Sequence, residues 1–174
     1  MDQASYRIDL GTSLGILALN GTGKTTLIKM MAGLEKPDEV EIRRNRKISF
    51  LLGFMGGVVS KHTARENARY IAKFYDIDPE YVETFFRWLC GLEEYCDQPV
   101  GAYSAGIKAR FTFALMLALD FDMYLIDEGM PSNTDVEFNH KAGEILVACL
   151  RSTAIIIASH QPEILEKFAR RSSI

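Results

Sequence analysis

The run Ala18-Leu19-Asn20-Gly21-Thr22-Gly23-Lys24-Thr25 sets two glycines, a lysine and a hydroxyl at nearly the spacing GxxxxGK[ST], with Ala18 in the place of the first glycine. Holding a chain of phosphates requires backbone N–H groups turned inward and glycines where a side chain would block the approach. It also requires a lysine for the outer phosphates and a hydroxyl for magnesium. Gly21, Gly23, Lys24 and Thr25 supply these types in order, and Asn20, Thr22 and Thr26 complete the candidate phosphate-binding set. The same residues without the lysine and threonines in register would read as a turn joining two elements.

A second group lies about a hundred residues on. Asp122-Met123-Tyr124-Leu125-Ile126-Asp127-Glu128 is an apolar run ending in two adjacent acids. If it is a strand, neighbouring side chains point to opposite faces. Asp127 can then reach a magnesium ion through water, while Glu128 faces the terminal phosphate and acts as catalytic base on the attacking water. Ile155-Ile156-Ile157-Ala158-Ser159-His160 ends another apolar run on a histidine, a candidate to contact that phosphate or to hold Glu128 and the water. His62 and His140 have no such context and read as incidental loop or surface residues.

These groups need elements to bring them together. Leu14 to Leu19 reads as a strand, followed by a Gly-rich loop and a helix over Thr25 to Leu34. Val40 to Ile42 and Ile48 to Leu52 are expected as short strands, and Arg65 to Tyr75 and Pro79 to Leu89 as amphipathic helices. Pro99 and Gly101 break the pattern before Ser104, a plausible N-cap for an increasingly apolar helix. Met123 to Ile126 and Ala154 to Ala158 read as strands covered on both faces, with helices over Glu137 to Leu150 and Gln161 to Ala169 as crossovers. In a parallel sheet of this kind the candidate residues all fall at the carboxyl ends of strands, where ligands bind.

With 174 residues, 48% of them hydrophobic, the chain can bury one good core but is short for two domains. A net charge of -3, from 20 basic and 23 acidic residues mixed along the chain, gives no footprint for nucleic acid or for an anionic membrane. The longest apolar stretch, Phe111 to Leu119, falls far short of the roughly 20 residues that cross a bilayer. No basic segment followed by an apolar one opens the sequence, so a cytosolic protein without a signal peptide is expected. Cys90, Cys96 and Cys149 lack any CxxC pairing and read as reduced thiols.

Tyr103-Ser104-Ala105-Gly106-Ile107-Lys108-Ala109-Arg110 precedes Asp127 by the interval at which ABC ATPases carry their LSGGQ signature, which it resembles, with Ala105 departing from it. The longer segments LGILALNGTGKTTLIKMMAG, LGFMGGVVSKHTARENARYIAKFY and YSAGIKARFTFALMLALDFDMYLIDE are similar to the ATPases of capsular-polysaccharide and related surface-carbohydrate exporters. The resemblance covers nearly the whole chain. It implies an α/β P-loop NTPase of the ABC type: one domain with a three-layer core (1–52 and 120–174), a mostly parallel sheet, and a helical insertion at roughly 60–118. It implies ATP and Mg2+ as cofactors and a homodimer with ATP at the interface, in which Ser104 and Gly106 hold the γ-phosphate bound to the other subunit. It further implies a separate integral-membrane permease, a lipid-linked polysaccharide as cargo, and a peripheral place on the cytoplasmic face of the bacterial inner membrane.

Set beside that family the chain looks shortened at both ends, with no comfortable counterpart of the adenine-stacking aromatic; Tyr6 lies too close to Lys24. The loop that usually offers a glutamine to magnesium falls near Phe54 without one, as is common among carbohydrate exporters, and Asp135 stands one residue away from the aspartate expected across the dimer. The alternative expectation is a truncated or degenerate nucleotide-binding relative without transport activity. A soluble ABC ATPase of repair or translation is disfavoured by the single nucleotide-binding unit and the lack of basic patches.

Overall fold

The computed structural model describes residues 6–17, 19, 21–39, 41–49, 57–91, 93–127, 136–149, 152–160, 162 and 165–166. The elements in chain order are β1 (Ser13–Leu17), α1 (Lys24–Ala32), α2 (Ala64–Phe74), α3 (Pro79–Cys90), α4 (Ala105–Ala118), β2 (Met123–Asp127), α5 (Val136–Cys149) and β3 (Ala154–Ser159). Among the described residues the three strands run parallel in the order β1-β3-β2, so β3 is the central one. Every residue of β3 is buried.

Alternation along the strands decides which layer each side chain joins. Leu125, Ile156 and Ala158 pack with Ile28 of α1 on one face. Their neighbours Tyr124, Ile126, Ile155 and Ile157 face the opposite way, into a larger core with Phe113 and Leu115 of α4 and Phe138 and Leu146 of α5. This is the period-two pattern of a sheet covered on both sides, and it explains why the strands read as continuous apolar runs. Residues 111–119 are likewise buried throughout, which is why the second half of α4 is apolar on all sides but for Thr112. Among the described residues no helix is long and apolar enough to cross a membrane.

The helices between β1 and β2 start where local signals put them. Thr63 and Glu66 form a reciprocal capping box on α2. Asp78 caps α3, with Pro79 in its first turn and left-handed Gly91 at its end. Glu83, on the buried side of α3, faces Arg65 and Arg69 of α2 and Arg87 of its own helix, so the two helices share a largely buried carboxylate.

Residues 41–45 are irregular, so the expected strand at Val40 to Ile42 does not form over its described residues. The segment serves α1 instead: the Arg44 guanidinium donates to the carbonyls of Met31 and Met30, capping the end of that helix. Of the expected strand at Ile48 to Leu52, the described residues 48–49 make one parallel bridge, Ile48 with Met123. Beyond it the side chain of Ser49 replaces a ladder bond, its Oγ accepting from the Leu125 amide at 2.9 Å. Residues 50–52 lie outside the described residues, as does most of the expected Gln161 to Ala169 helix, of which 162 and 165–166 are helical.

Candidate nucleotide-binding site

Leu17 pairs with Ser159, and Ala158 pairs with Ile16 on one side and Asp127 on the other. The three strand ends therefore fall at one edge, with His160 following the central strand in an exposed bend. The segment after β1 and the carboxylate ending β2 are separated only by the width of β3.

The turn after β1 is shaped by its glycines. Gly21 and Gly23 have φ of 79° and 94°, and a Cβ at either would meet nothing within 4 Å. The cradle is therefore open, and its left-handed backbone suits glycine. Gly23 is the residue that opens α1, and it places no side-chain cap over the first helical N–H groups. Those donors and the positive end of the helix dipole are left to serve an anion.

Lys24 is only 7% exposed, and its ammonium donates to the Leu19 carbonyl at 3.0 Å. Thr22 Oγ1 donates to the same carbonyl at 2.7 Å. A backbone oxygen thus gathers the loop around the lysine, a role that no side-chain type signals in the sequence. Thr26, in the first turn of α1, is exposed.

The hydroxyl of Thr25 donates to Asp127 Oδ2 at 2.7 Å. The other carboxylate oxygen, Oδ1, is buried without a hydrogen-bond partner. A buried anionic oxygen left unpaired is costly. Beside a hydroxyl whose lone pairs remain available, it is the donor set that a hard divalent cation takes. The residues present therefore fit magnesium with ATP.

Ser104 and Gly106 open a different helix. Ser104 Oγ caps α4 by accepting from the Ile107 amide at 3.3 Å, and Ser104 is exposed. α4 packs against α3 and α5, whereas α1 packs against β2 and β3, so this second helix N-terminus is built on separate elements. Ala18, Asn20, Glu128, Asp135 and the stretch 50–56 that includes Phe54 lie outside the described residues.

Two residues that position these elements were not singled out from sequence. Ser49 is buried against β2. Asn67 is fully buried on the otherwise apolar stripe of Ala64, Ala68, Ile71 and Ala72, and a polar residue on such a stripe is the signal that could have found it.

The profile of the ABC transporter family matches residues 1–131. The chain is 38% identical to the ATP-binding protein BexA of Haemophilus influenzae, over 94% of this chain and 75% of that protein. It is 36% identical to the capsule polysaccharide export ATP-binding protein CtrD of Neisseria meningitidis serogroup B, over 98% of this chain and 78% of that one. A solved ATP-binding subunit of an ABC transporter superposes with a TM-score of 0.81 over 94% of this chain and 74% of its own, at 22% identity, a likeness of fold. Matched over most of its length by this family, and bearing the glycine cradle, lysine and threonine–aspartate pair, the chain belongs to the ABC transporter family and carries its ATPase domain.

Proposed function

We propose that this chain is the ATP-hydrolysing subunit of an exporter of capsular or related polysaccharide, acting with a separate membrane permease at the cytoplasmic face of the bacterial inner membrane. The observation that carries the ATPase part is the Thr25–Asp127 pair beside an open phosphate cradle, with Asp127 Oδ1 unpaired and buried. The export part is supported by similarity to relatives named for capsule polysaccharide and polysialic acid transport.

In this reading Asn20, Gly21, Thr22, Gly23, Lys24, Thr25 and Thr26 bind the phosphates. Thr25 and Asp127 hold Mg2+, which when bound draws charge from the phosphate oxygens. Glu128 accepts the proton of the attacking water, and His160, at the end of the central strand, orients that water or the γ-phosphate. Ser104 and Gly106 bind the γ-phosphate of the opposing subunit in a head-to-tail homodimer, at the N-terminal end of α4. The cargo is a lipid-linked glycan. The division into a core of 1–52 and 120–174 and a helical insertion at roughly 60–118 is part of the same proposal.

The test is reconstitution of the purified chain in lipid vesicles with a candidate polysaccharide-export permease from the same organism. The expected result is vesicle association and faster ATP turnover only when the permease is present. Turnover that ignores the permease, with no association, would remove the export part and leave an ABC ATPase of another kind.

A further inference from the structure

We propose that Gly101, Lys108 and Asn67 are positioning residues for Ser104, forming a backbone clasp that sets where the N-terminal end of α4 stands. The proposal rests on the reading of Ser104 as a ligand of the opposing subunit's ATP.

Residues 97–103, which lead into Ser104, belong to neither a long helix nor the sheet, so their backbone groups must be satisfied elsewhere. The amides of Gln98, Ala102 and Tyr103 donate to carbonyls close by in the chain, and those of Val100 and Gly101 are satisfied by the segment that leads into α2. The Gly101 amide donates to the Ser60 carbonyl at 2.7 Å, and the Val100 amide donates to the His62 carbonyl at 2.9 Å. Thr63 and Pro99 form an antiparallel bridge beside them.

On its other side the Gly101 peptide is held by the helix it precedes. Its carbonyl accepts from Lys108 Nζ of α4 at 3.0 Å. The peptide three residues before Ser104 is thus gripped from both directions.

The approach of the two loops requires a glycine. A Cβ at Gly101 would lie 2.9 Å from the Ser60 carbonyl oxygen, a backbone atom with no rotamer to yield. The backbone of Gly101 is not left-handed, so the requirement is space and not conformation.

Asn67 anchors the opposing loop to α2. Its side-chain oxygen accepts from the Val59 amide at 2.7 Å, and its nitrogen donates to the carbonyls of Val59 at 3.0 Å, His62 at 3.3 Å and Thr63 at 3.0 Å. The His62 carbonyl therefore receives Asn67 and Val100 together, joining α2 to the start of α4 through one peptide. Such a chain of short bonds fixes a ligating helix end far better than a solvated loop would, and misplacement by about 1 Å costs up to about 100-fold in rate.

The experiment measures ATP turnover, ATP-dependent dimerisation by sedimentation, ATP binding to the monomer and thermal stability for Gly101→Ala, Lys108→Met, Lys108→Arg, Ser104→Ala and the Gly101→Ala/Ser104→Ala double variant. Turnover and dimerisation are expected to fall on the order of 10-fold in Gly101→Ala, while monomer ATP affinity stays within about twofold. Lys108→Met is expected to lose roughly threefold, with Lys108→Arg restoring it because the donor returns. Adding Gly101→Ala to Ser104→Ala is expected to cost little more, since the first acts through the second. Should Gly101→Ala fold poorly, the Lys108 pair decides alone. Wild-type turnover in both Gly101→Ala and Lys108→Met, or full additivity with Ser104→Ala, would overturn the clasp and leave the Ser104 reading standing. An unimpaired Ser104→Ala would overturn both.

Discussion

Thr25 and Asp127 are 102 residues apart in sequence, yet the threonine hydroxyl donates to the aspartate carboxylate at 2.7 Å across a strand that neither belongs to. That strand, β3, follows the other two in sequence yet lies between them in the sheet, and each of its residues is buried. The carboxylate keeps one oxygen buried and unpaired, a local cost of the kind that functional sites carry.

Asp127→Asn keeps an oxygen for the Thr25 hydroxyl and removes the negative charge. ATP turnover is expected to fall at least about 100-fold, and the stimulation by added Mg2+ to disappear, whereas nucleotide binding in the presence of EDTA changes little. A magnesium titration of turnover and of fluorescent nucleotide binding checks both halves.

Lys24→Ala removes a nearly buried ammonium from the centre of the loop. A charge-assisted contact to phosphate is worth roughly 1.5–3 kcal/mol, so ATP affinity is expected to fall by about 10- to 100-fold. Isothermal titration calorimetry measures it. Adenosine, which has no phosphates, is expected to be indifferent to the substitution.

Phe111 is fully buried, edge-on to Phe86 at 5.2 Å and to Tyr103 at 6.3 Å between ring centres. Phe111→Ala is expected to cost about 3–5 kcal/mol through lost burial and the cavity left behind. For a chain of this size that lowers Tm by roughly 10 °C, read by circular dichroism.

Acid should loosen the helices before it loosens the sheet. Hydrogen bonding from the Arg65 guanidinium holds the Asp97 carboxyl below its usual range, and the backbone amide of Thr63 does the same for Glu66. Both carboxyls have a folded-state pKa below the unfolded value, so their contribution is present above about 4 and is lost as pH falls through the depressed folded values. Tm is expected to drop as pH goes from about 5 toward 3, and Glu66→Gln is expected to reduce that dependence by removing one of the two titrating carboxyls. Thermal melts across this range check it.

The strands and the phosphate loop were legible because a sheet covered on both faces leaves continuous apolar runs, and because the loop's chemistry forces a short, ordered set of residue types. Ser104 as an N-cap, and the helices at Ala64–Phe74 and Pro79–Cys90, were equally plain from capping residues and 3.6-residue periodicity. The expected strand at Val40 to Ile42 misled because Val-Glu-Ile alternates as a strand does, whereas Arg44 just beyond it is drawn to the end of α1. Strand order was not legible either, since nothing local in Ile155 or Ile156 says that they lie between β1 and β2. The hold of the Leu19 carbonyl on Lys24 and Thr22 is carried by backbone and leaves no residue-type signature.

Steady-state hydrolysis of ATP with Mg2+ by the purified chain, wild type beside Glu128→Gln, tests the ATPase reading most directly. Measurable turnover is expected in the wild type, with a fall of at least about 100-fold in the variant and ATP binding retained in both. A folded wild-type protein that neither binds nor hydrolyses ATP would contradict it.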